Sequence, residues 1–253
     1  MIRIGTSGWV YPHWVGSFYP PELAASEYLA YYARHFPTVE INRSFYRLPT
    51  REQFCTWREQ LWEHPGFCCA VKASRYITHM KKLQNVEEGV SRLYTAAQGL
   101  GELLGPFLYQ LPPHWHANPS RLAQFVASLP PHHLAAFEVR DATWFQGENP
   151  EQLRSILDKT GLALAIAVGG SCPTPLDLPT IGSFDYVRFH HGAHSIGLSE
   201  DELNFWARRL ARASSHGRDL YIYFNNDPHG YAIRNAQRLR ELLQEGERNS
   251  CLS

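Results

Sequence analysis

In VEINRSFYRLPTREQ, residues 39–53, a strand, a loop and a helix start follow one another. Val39-Glu40-Ile41-Asn42 alternates apolar and polar side chains with the period of a strand. If Val39 and Ile41 pack on one face, Glu40 and Asn42 turn to the other. The extended run is predicted to reach residue 45, and an aromatic loop occupies 44–49. Thr50-x-x-Gln53 then has the form of a capping box, in which each residue satisfies a free backbone N–H of the other at the start of a helix.

The same succession recurs on both sides of this stretch. Strand-like runs lie at 2–7, 39–45, 67–73, 106–111, 134–140, 162–168, 186–190 and 220–225. Helix starts stand between most of them. Ser199-x-x-Glu202 is a second capping box, Asn85 precedes an acidic first turn, and Asn149 stands before a proline at the first helical position. Strand then helix, repeated through the chain, implies parallel strands joined by crossovers. The expected fold is an α/β barrel of the (β/α)8 TIM type, as a single domain over residues 1–253. A doubly wound open sheet usually has fewer strands and a Gly-rich first turn, and Gly5-Thr6-Ser7-Gly8 lacks that fingerprint. Residues 169–183 contain Pro173, Pro175 and Pro179 among three glycines, so a loop should replace the helix between strands six and seven.

Connections from helix to strand are short, as at 64–66, 159–161 and 215–218. Those leaving the strands are long and aromatic, as at 8–19, 44–49, 74–84, 112–119 and 141–147. Binding groups concentrate on such a face, so the carboxyl ends of the strands should be the functional side. With 24 basic and 24 acidic side chains there is no net charge to draw nucleic acid or an anionic membrane. The longest apolar runs are strand-sized and the first residues read directly as a strand, so neither a membrane span nor an export signal is expected. Cys55, Cys68, Cys69, Cys172 and Cys251 form an odd set with no C-x-x-C spacing; buried or incidental thiols and a cytoplasmic location are the expectation.

Alternation turns a polar group inward near the carboxyl end of seven strands. These are Ser7; Glu40 and Asn42; Lys72; Gln110; Glu138 and Arg140; Arg188 and His190; and Tyr223 and Asn225. An interior filled for stability alone would carry Val, Ile and Leu there. Burying Lys72, Arg140 and Arg188 against Glu40 and Glu138 is costly unless the charges pair or meet a ligand. A closed network would pair Glu138 with Arg140 and Glu40 with Lys72. The surplus of positive charge favours an anionic ligand, for which Arg offers bidentate recognition.

At these residues the chain resembles the YecE-like family, known as domain of unknown function 72. The resemblance covers nearly the whole length. It rests on GTSGWVYPHWVGSFYP (5–20), FPTVEINRSFYRLP (36–49), AVKASRYITHMKKL (70–83), LGPFLYQLPP (104–113), FEVRDATWF (137–145), YVRFHHG (186–192) and YFNNDPHGYAIRNAQRL (223–239). It implies a TIM-type barrel with a pocket built from these motifs, and no assigned reaction. Similar proteins usually carry an aspartate at the end of strand six, where this chain has Ala167-Val168-Gly169-Gly170. That departure removes a potential metal ligand unless Asp177 or another group replaces it.

Three chemistries compete. Metal-assisted phosphodiester hydrolysis could draw on Glu40, Glu138, His190 and His79, but Lys72, Arg140 and Arg188 would repel a cation in the same space, so no metal and no cofactor are expected. Glycoside chemistry would use Glu40 and Glu138, roughly 6 Å apart across the barrel, among Trp9, Trp14, Trp115 and Trp144. The neighbouring cations would keep both carboxylates ionised, which disfavours a general acid. Aromatic loops around a basic centre also suit a nucleotide or single-stranded nucleic acid, although single aromatic residues more often serve as a packed lid. Asn226 or Asp227 could cap the helix that follows. The favoured expectation is a small phosphorylated or carboxylated ligand, with Glu138 as candidate base and His190 as candidate proton shuttle. Glu40, Asn42, Lys72, Gln110, Arg140, Arg188, Asn225, Trp9 and Trp144 are the candidate contacts. A non-catalytic module for nucleic acid or protein is the rival of another class, and the oligomeric state is open.

Overall fold

The computed structural model describes the backbone of residues 1–250 and the side chains of all of these except 247, 249 and 250. Eight parallel strands close into a barrel in sequence order. They are β1 (Ile2–Ser7), β2 (Thr38–Ile41), β3 (Cys68–Lys72), β4 (Leu104–Gln110), β5 (Ala135–Glu138), β6 (Ala163–Val168), β7 (Asp185–Phe189) and β8 (Leu220–Phe224). Outside run α1 (Tyr28–Ala33), α3 (Arg51–Gln60), α4 (Glu87–Ala97), α5 (Pro119–Ser128), α6 (Asn149–Asp158), α7 (Glu200–Ser215) and α8 (Tyr231–Ser250), while the single turn α2 (Arg43–Tyr46) sits over the barrel mouth. Among the described residues no helix lies between β6 and β7. The loop there is held by Thr174, whose backbone N–H donates to Ala167 O at 2.9 Å, and by Gly182, whose N–H donates to the Asp158 carboxylate at 2.6 Å.

Alternation sorts the strand side chains into two cores. Val39, Ile41, Val71, Tyr109, Phe137, Val187, Phe189, Ile222 and Phe224 join the helices in the outer core. The separate interior core holds Cys68, Ala70, Leu108, Ala136, Ala163 and Ala165 opposite Phe184, Tyr186, Tyr221 and Tyr223. Small side chains on β3, β5 and β6 therefore make room for long ones reaching across from β7 and β8. Cys68 and Cys69 fall on opposite sides of the barrel wall, as their adjacency requires. Cys55, Cys68, Cys69 and Cys172 are free thiols, and Cys251 lies outside the described residues.

Several boundaries depart from the sequence-based expectation. β2 stops at Ile41 because the Ser44 hydroxyl donates to Ile41 O at 2.9 Å and to Lys72 O at 2.6 Å, folding 43–46 into α2. β5 stops at Glu138, so Arg140 leaves the strand ladder. Thr50 caps α3, and Ser199 with Glu202 forms the full capping box of α7. Asn85 is not a cap: it has φ of 53°, and α4 starts after Val86. α6 begins one residue early, with Glu148 at its N-cap and the Asn149 side chain donating to Thr143 O instead. Among the described residues no helix is long and apolar enough to cross a membrane.

Candidate functional site

The mouth at the carboxyl ends of the strands is a cavity of about 1040 Å³. Each side of it is built by a strand end or by the loop that follows. Lys72 and Gln110 are the last residues of β3 and β4, and Asn42, Arg140, His190 and Asn225 come from just beyond β2, β5, β7 and β8. Tyr11, Phe45 and Tyr46 supply aromatic walls, and Arg75, His79 and Met80 come from the loop after β3. Six of the sequence-predicted site residues thus line one cavity, and no Asp or Glu lines it.

The two predicted glutamates and Arg188 lie one layer deeper. All three are at most 1% exposed. The Arg188 guanidinium donates from Nε to Glu40 Oε2 at 3.0 Å, from Nη2 to Glu40 Oε1 at 2.9 Å and from Nη1 to Glu138 Oε2 at 2.5 Å. Glu40 also accepts from the Ser7 and Tyr186 hydroxyls, each at 2.6 Å. Glu138 Oε1 accepts from Gln110 Nε2 at 2.8 Å and lies 3.0 Å from His190 Nε2. The charge pairing expected from sequence is corrected here: Arg188, not Arg140 or Lys72, neutralises the carboxylates. Its fork reaches both because the small interior side chains of β5 and β6 leave a path across the barrel.

Burial pushes both carboxyls up and is the largest single effect, but Arg188 and the other cations and donors together outweigh it. Lys72 and the Ser7 and Tyr186 hydroxyls help to bring Glu40 below its usual range; His190 and Gln110 help to bring Glu138 well below. Neither is therefore a general acid, and the glycoside arrangement loses the protonated partner it needs. Two carboxylates share one guanidinium, which leaves one surplus negative charge in this layer. Above it the wall carries Lys72, Arg75 and Arg140.

Lys72 is 9% exposed, with its nitrogen 4.3 Å from the centre of the Phe45 ring. Burial and then Arg188 lower its pKa to about 8, with Arg140 adding to the effect and Glu40 and Glu138 opposing it. Arg140 donates to the Ser171 hydroxyl at 3.1 Å, so its tie is to the loop after β6 and not to Glu138. His79 is lowered to about 4 by burial, Lys72 and Arg140, and is neutral at pH 7. His190 spans Glu138 at Nε2 and the Asn225 amide nitrogen at Nδ1, 3.2 Å away. With Asn225 donating, the proton sits on Nε2 toward Glu138, which fixes the ring between a carboxylate and an amide.

The tryptophans are elsewhere. Trp144 is fully buried and meets Trp115 edge-on, with ring centres 6.5 Å apart; Trp9 packs edge-on against Trp57 at 5.3 Å. Trp14 is buried and donates from Nε1 to Asp227 at 2.7 Å. Neither Trp9 nor Trp144, both expected at a ligand, lines the mouth: Trp144 is packed away entirely, where its large apolar area is best hidden, and Trp9 borders a separate cavity of about 420 Å³ with Tyr11, Asn42 and Trp57. Asp227, bound to Trp14 and His13, has no side-chain cap bond to a helix, and Asn226 donates to Asn235 and to Ile196 O. Arg75, Tyr11 and Tyr46 were not singled out from the sequence. Arg75 stood in the basic loop KASRYITHMKK directly after β3, which was the available signal. Among the described residues there is no grouping of three His, Cys, Asp or Glu side chains able to hold a metal ion.

Comparison with known proteins gives concordant matches. Residues 3–252 match the family model described as "Protein of unknown function DUF72". The UPF0759 protein YunF of Bacillus subtilis is 27% identical, over 96% of this chain and 95% of its own length. The UPF0759 protein YecE of Escherichia coli is 32% identical over 64% of this chain and 57% of its own. A crystal structure of a DUF72 family protein from Thermotoga maritima superposes with a TM-score of 0.82 at 25% identity, covering 96% of this chain and 99% of that one. A DUF72 family protein from Enterococcus faecalis gives 0.81 at 19% identity, covering 96% of both chains, a likeness of fold alone.

Proposed function

The chain belongs to the DUF72 family, and on that premise we propose that its barrel mouth is the site of an enzyme acting on a small phosphorylated or carboxylated molecule. One observation carries this reading: the wall of the mouth includes Lys72, Arg75 and Arg140 and no carboxylate, while the two nearest carboxylates share Arg188 beneath it and leave a single negative charge against these three cations. A wall with this balance lowers the energy of an anion that enters it. Arg140 and Arg75 would meet the anion as forks, with Lys72 closer to the barrel axis. His190, oriented by Glu138 and Asn225, is the group placed to move a proton, and the Gln110, Asn42 and Asn225 amides would orient the uncharged part of the ligand. Arg188 acts through Glu138 and is a positioning residue.

Thermal melts test the proposal. At matched ionic strength, phosphate or sulfate should raise the melting temperature of the parent above that in chloride. At an anion concentration ten times Kd the gain is about 1.4 kcal/mol. Arg140→Ala should lose most of that response. A parent indifferent to both anions, or a response intact in Arg140→Ala, would overturn it. Tight binding of single-stranded nucleic acid without any response to the small anions would favour the non-catalytic module.

A further inference from the structure

We infer that Lys72 is an amine nucleophile that forms a Schiff base with the carbonyl carbon of a small anionic aldehyde, ketone or 2-oxo acid held in the mouth. The inference rests on the anion-binding reading of the same pocket and adds to it the substrate class and a covalent step.

The geometry comes first. Lys72 is the last residue of β3, and its backbone is fixed on both sides: its carbonyl accepts from Ser44 Oγ at 2.6 Å, and the Ala73 N–H donates to Leu108 O at 2.8 Å. The side chain lines the cavity yet is 9% exposed, with the Phe45 ring beside the nitrogen. A buried lysine ordinarily pairs with a carboxylate or extends its ammonium into water. This one makes no ion pair among the described residues, because the two carboxylates below are bound to Arg188, and its nitrogen opens only toward the mouth. The remaining charged groups around it are Arg188, Glu40 and Glu138 beneath and Arg140 beyond β5, with His79 neutral on the loop after β3. Their sum with burial brings the amine to about 8. At neutral pH such a lysine holds roughly 300 times more free amine than an ordinary one.

That is the state a carbonyl addition requires. The nitrogen lone pair forms a C–N bond as the C=O π pair moves to oxygen, and the proton shed by nitrogen passes to that oxygen. A second proton, taken up from the solvent that reaches the mouth, lets the hydroxyl leave as water while the nitrogen lone pair closes the C=N bond. The product is a protonated imine and one water. Arg140 and Arg75 hold the carboxylate or phosphate that brings the carbonyl to the nitrogen.

The composition makes the test clean. The other lysines are Lys81, Lys82 and Lys159, all exposed, so each serves as an internal standard. The full chain is incubated at pH 7.5 with sodium cyanoborohydride and pyruvate, dihydroxyacetone phosphate or acetone, and reduced adducts are located by peptide mass mapping. An anionic probe should label Lys72 at least tenfold more than any other lysine. Acetone should label it far less, and Arg140→Ala should cut labelling by the anionic probes while leaving that by acetone. Lys72→Arg, which keeps the charge, should abolish the adduct. Labelling spread evenly over the four lysines, or equal labelling by acetone, overturns the inference. If phosphate still stabilises the parent while Lys72 stays unlabelled, the Schiff base falls and the anion site stands; if neither occurs, both fall.

Discussion

Arg188→Met would remove the one cation that both buried glutamates share. In the parent the guanidinium makes three hydrogen bonds at 2.5–3.0 Å to Glu40 and Glu138, and the three side chains are at most 1% exposed. The methionine fills much of the volume, so the loss is electrostatic rather than a cavity. Ser7, Tyr186, Gln110 and His190 still donate to the carboxylates, but two negative charges remain with Lys72 as the nearest unpaired cation. Removing one side of a buried ion pair costs on the order of 3–5 kcal/mol. For a chain of this length that is a fall in Tm on the order of 10 °C. The pH dependence follows from the direction of the shifts. With Arg188 present both carboxyls lie below their usual range, so their contribution is in full force above the unfolded value and is lost as pH falls through the folded values. Without Arg188, burial lifts both, and the folded variant takes up protons more readily than the unfolded chain. The deficit against the parent should be greatest at pH 7–8 and narrow toward pH 4.5. Urea denaturation followed by circular dichroism at both pH values measures it. A loss under about 1 kcal/mol at pH 7.5, or an equal deficit at pH 4.5, would refute the shared-cation account.

Lys72→Met should stabilise the protein, by roughly 2–3 kcal/mol at pH 7, because the parent holds an ammonium whose pKa is depressed to about 8 by burial and Arg188. The gain should shrink as pH rises from 8 through 10.5, where the unfolded lysine also loses its proton; a destabilised variant at pH 7 would contradict the site's charge balance. Ser199→Ala removes the hydroxyl that accepts from the Glu202 N–H at the start of α7 and should cost about 1 kcal/mol by urea midpoint, with the mouth's anion response unchanged.

The strands and the parity of their side chains were legible because a closed sheet repeats a period of two regardless of what surrounds it. Val39, Glu40, Phe137 and Glu138 fall on the sides their neighbours dictate. Partner choice was not legible. Arg188 and Glu40 are separated by 148 residues, and which cation reaches which carboxylate depends on how far each strand rises before its chain turns away. β5 ends at Glu138, which carries Arg140 out of the interior to donate to Ser171, and the hydrophobic pattern, which runs on through Val139, does not mark that end. The tryptophans were misplaced for a related reason. Their position in long loops was correctly read, but a loop rich in rings can fold inward, and only its packing against helix residues such as Trp57 reveals that it has. Arg75 was missed because nothing in a loop's sequence tells which of several basic residues turns toward the barrel axis.

The missing helix between β6 and β7 gives the barrel a seam. Elsewhere a helix shields the outer face of each strand, but Ile166 and Val168 on β6 are only half-buried, under a proline-rich loop. Hydrogen bonds there have the least to lose when water arrives, so transient opening should begin along β6 and β7 and these amides should exchange earliest among the strands. Ala167 pairs with Arg188 across that seam. Opening along this seam would therefore disturb the ion network and, through Glu138 and His190, the floor of the mouth, so the least protected part of the shell adjoins the most tightly bonded part of the interior.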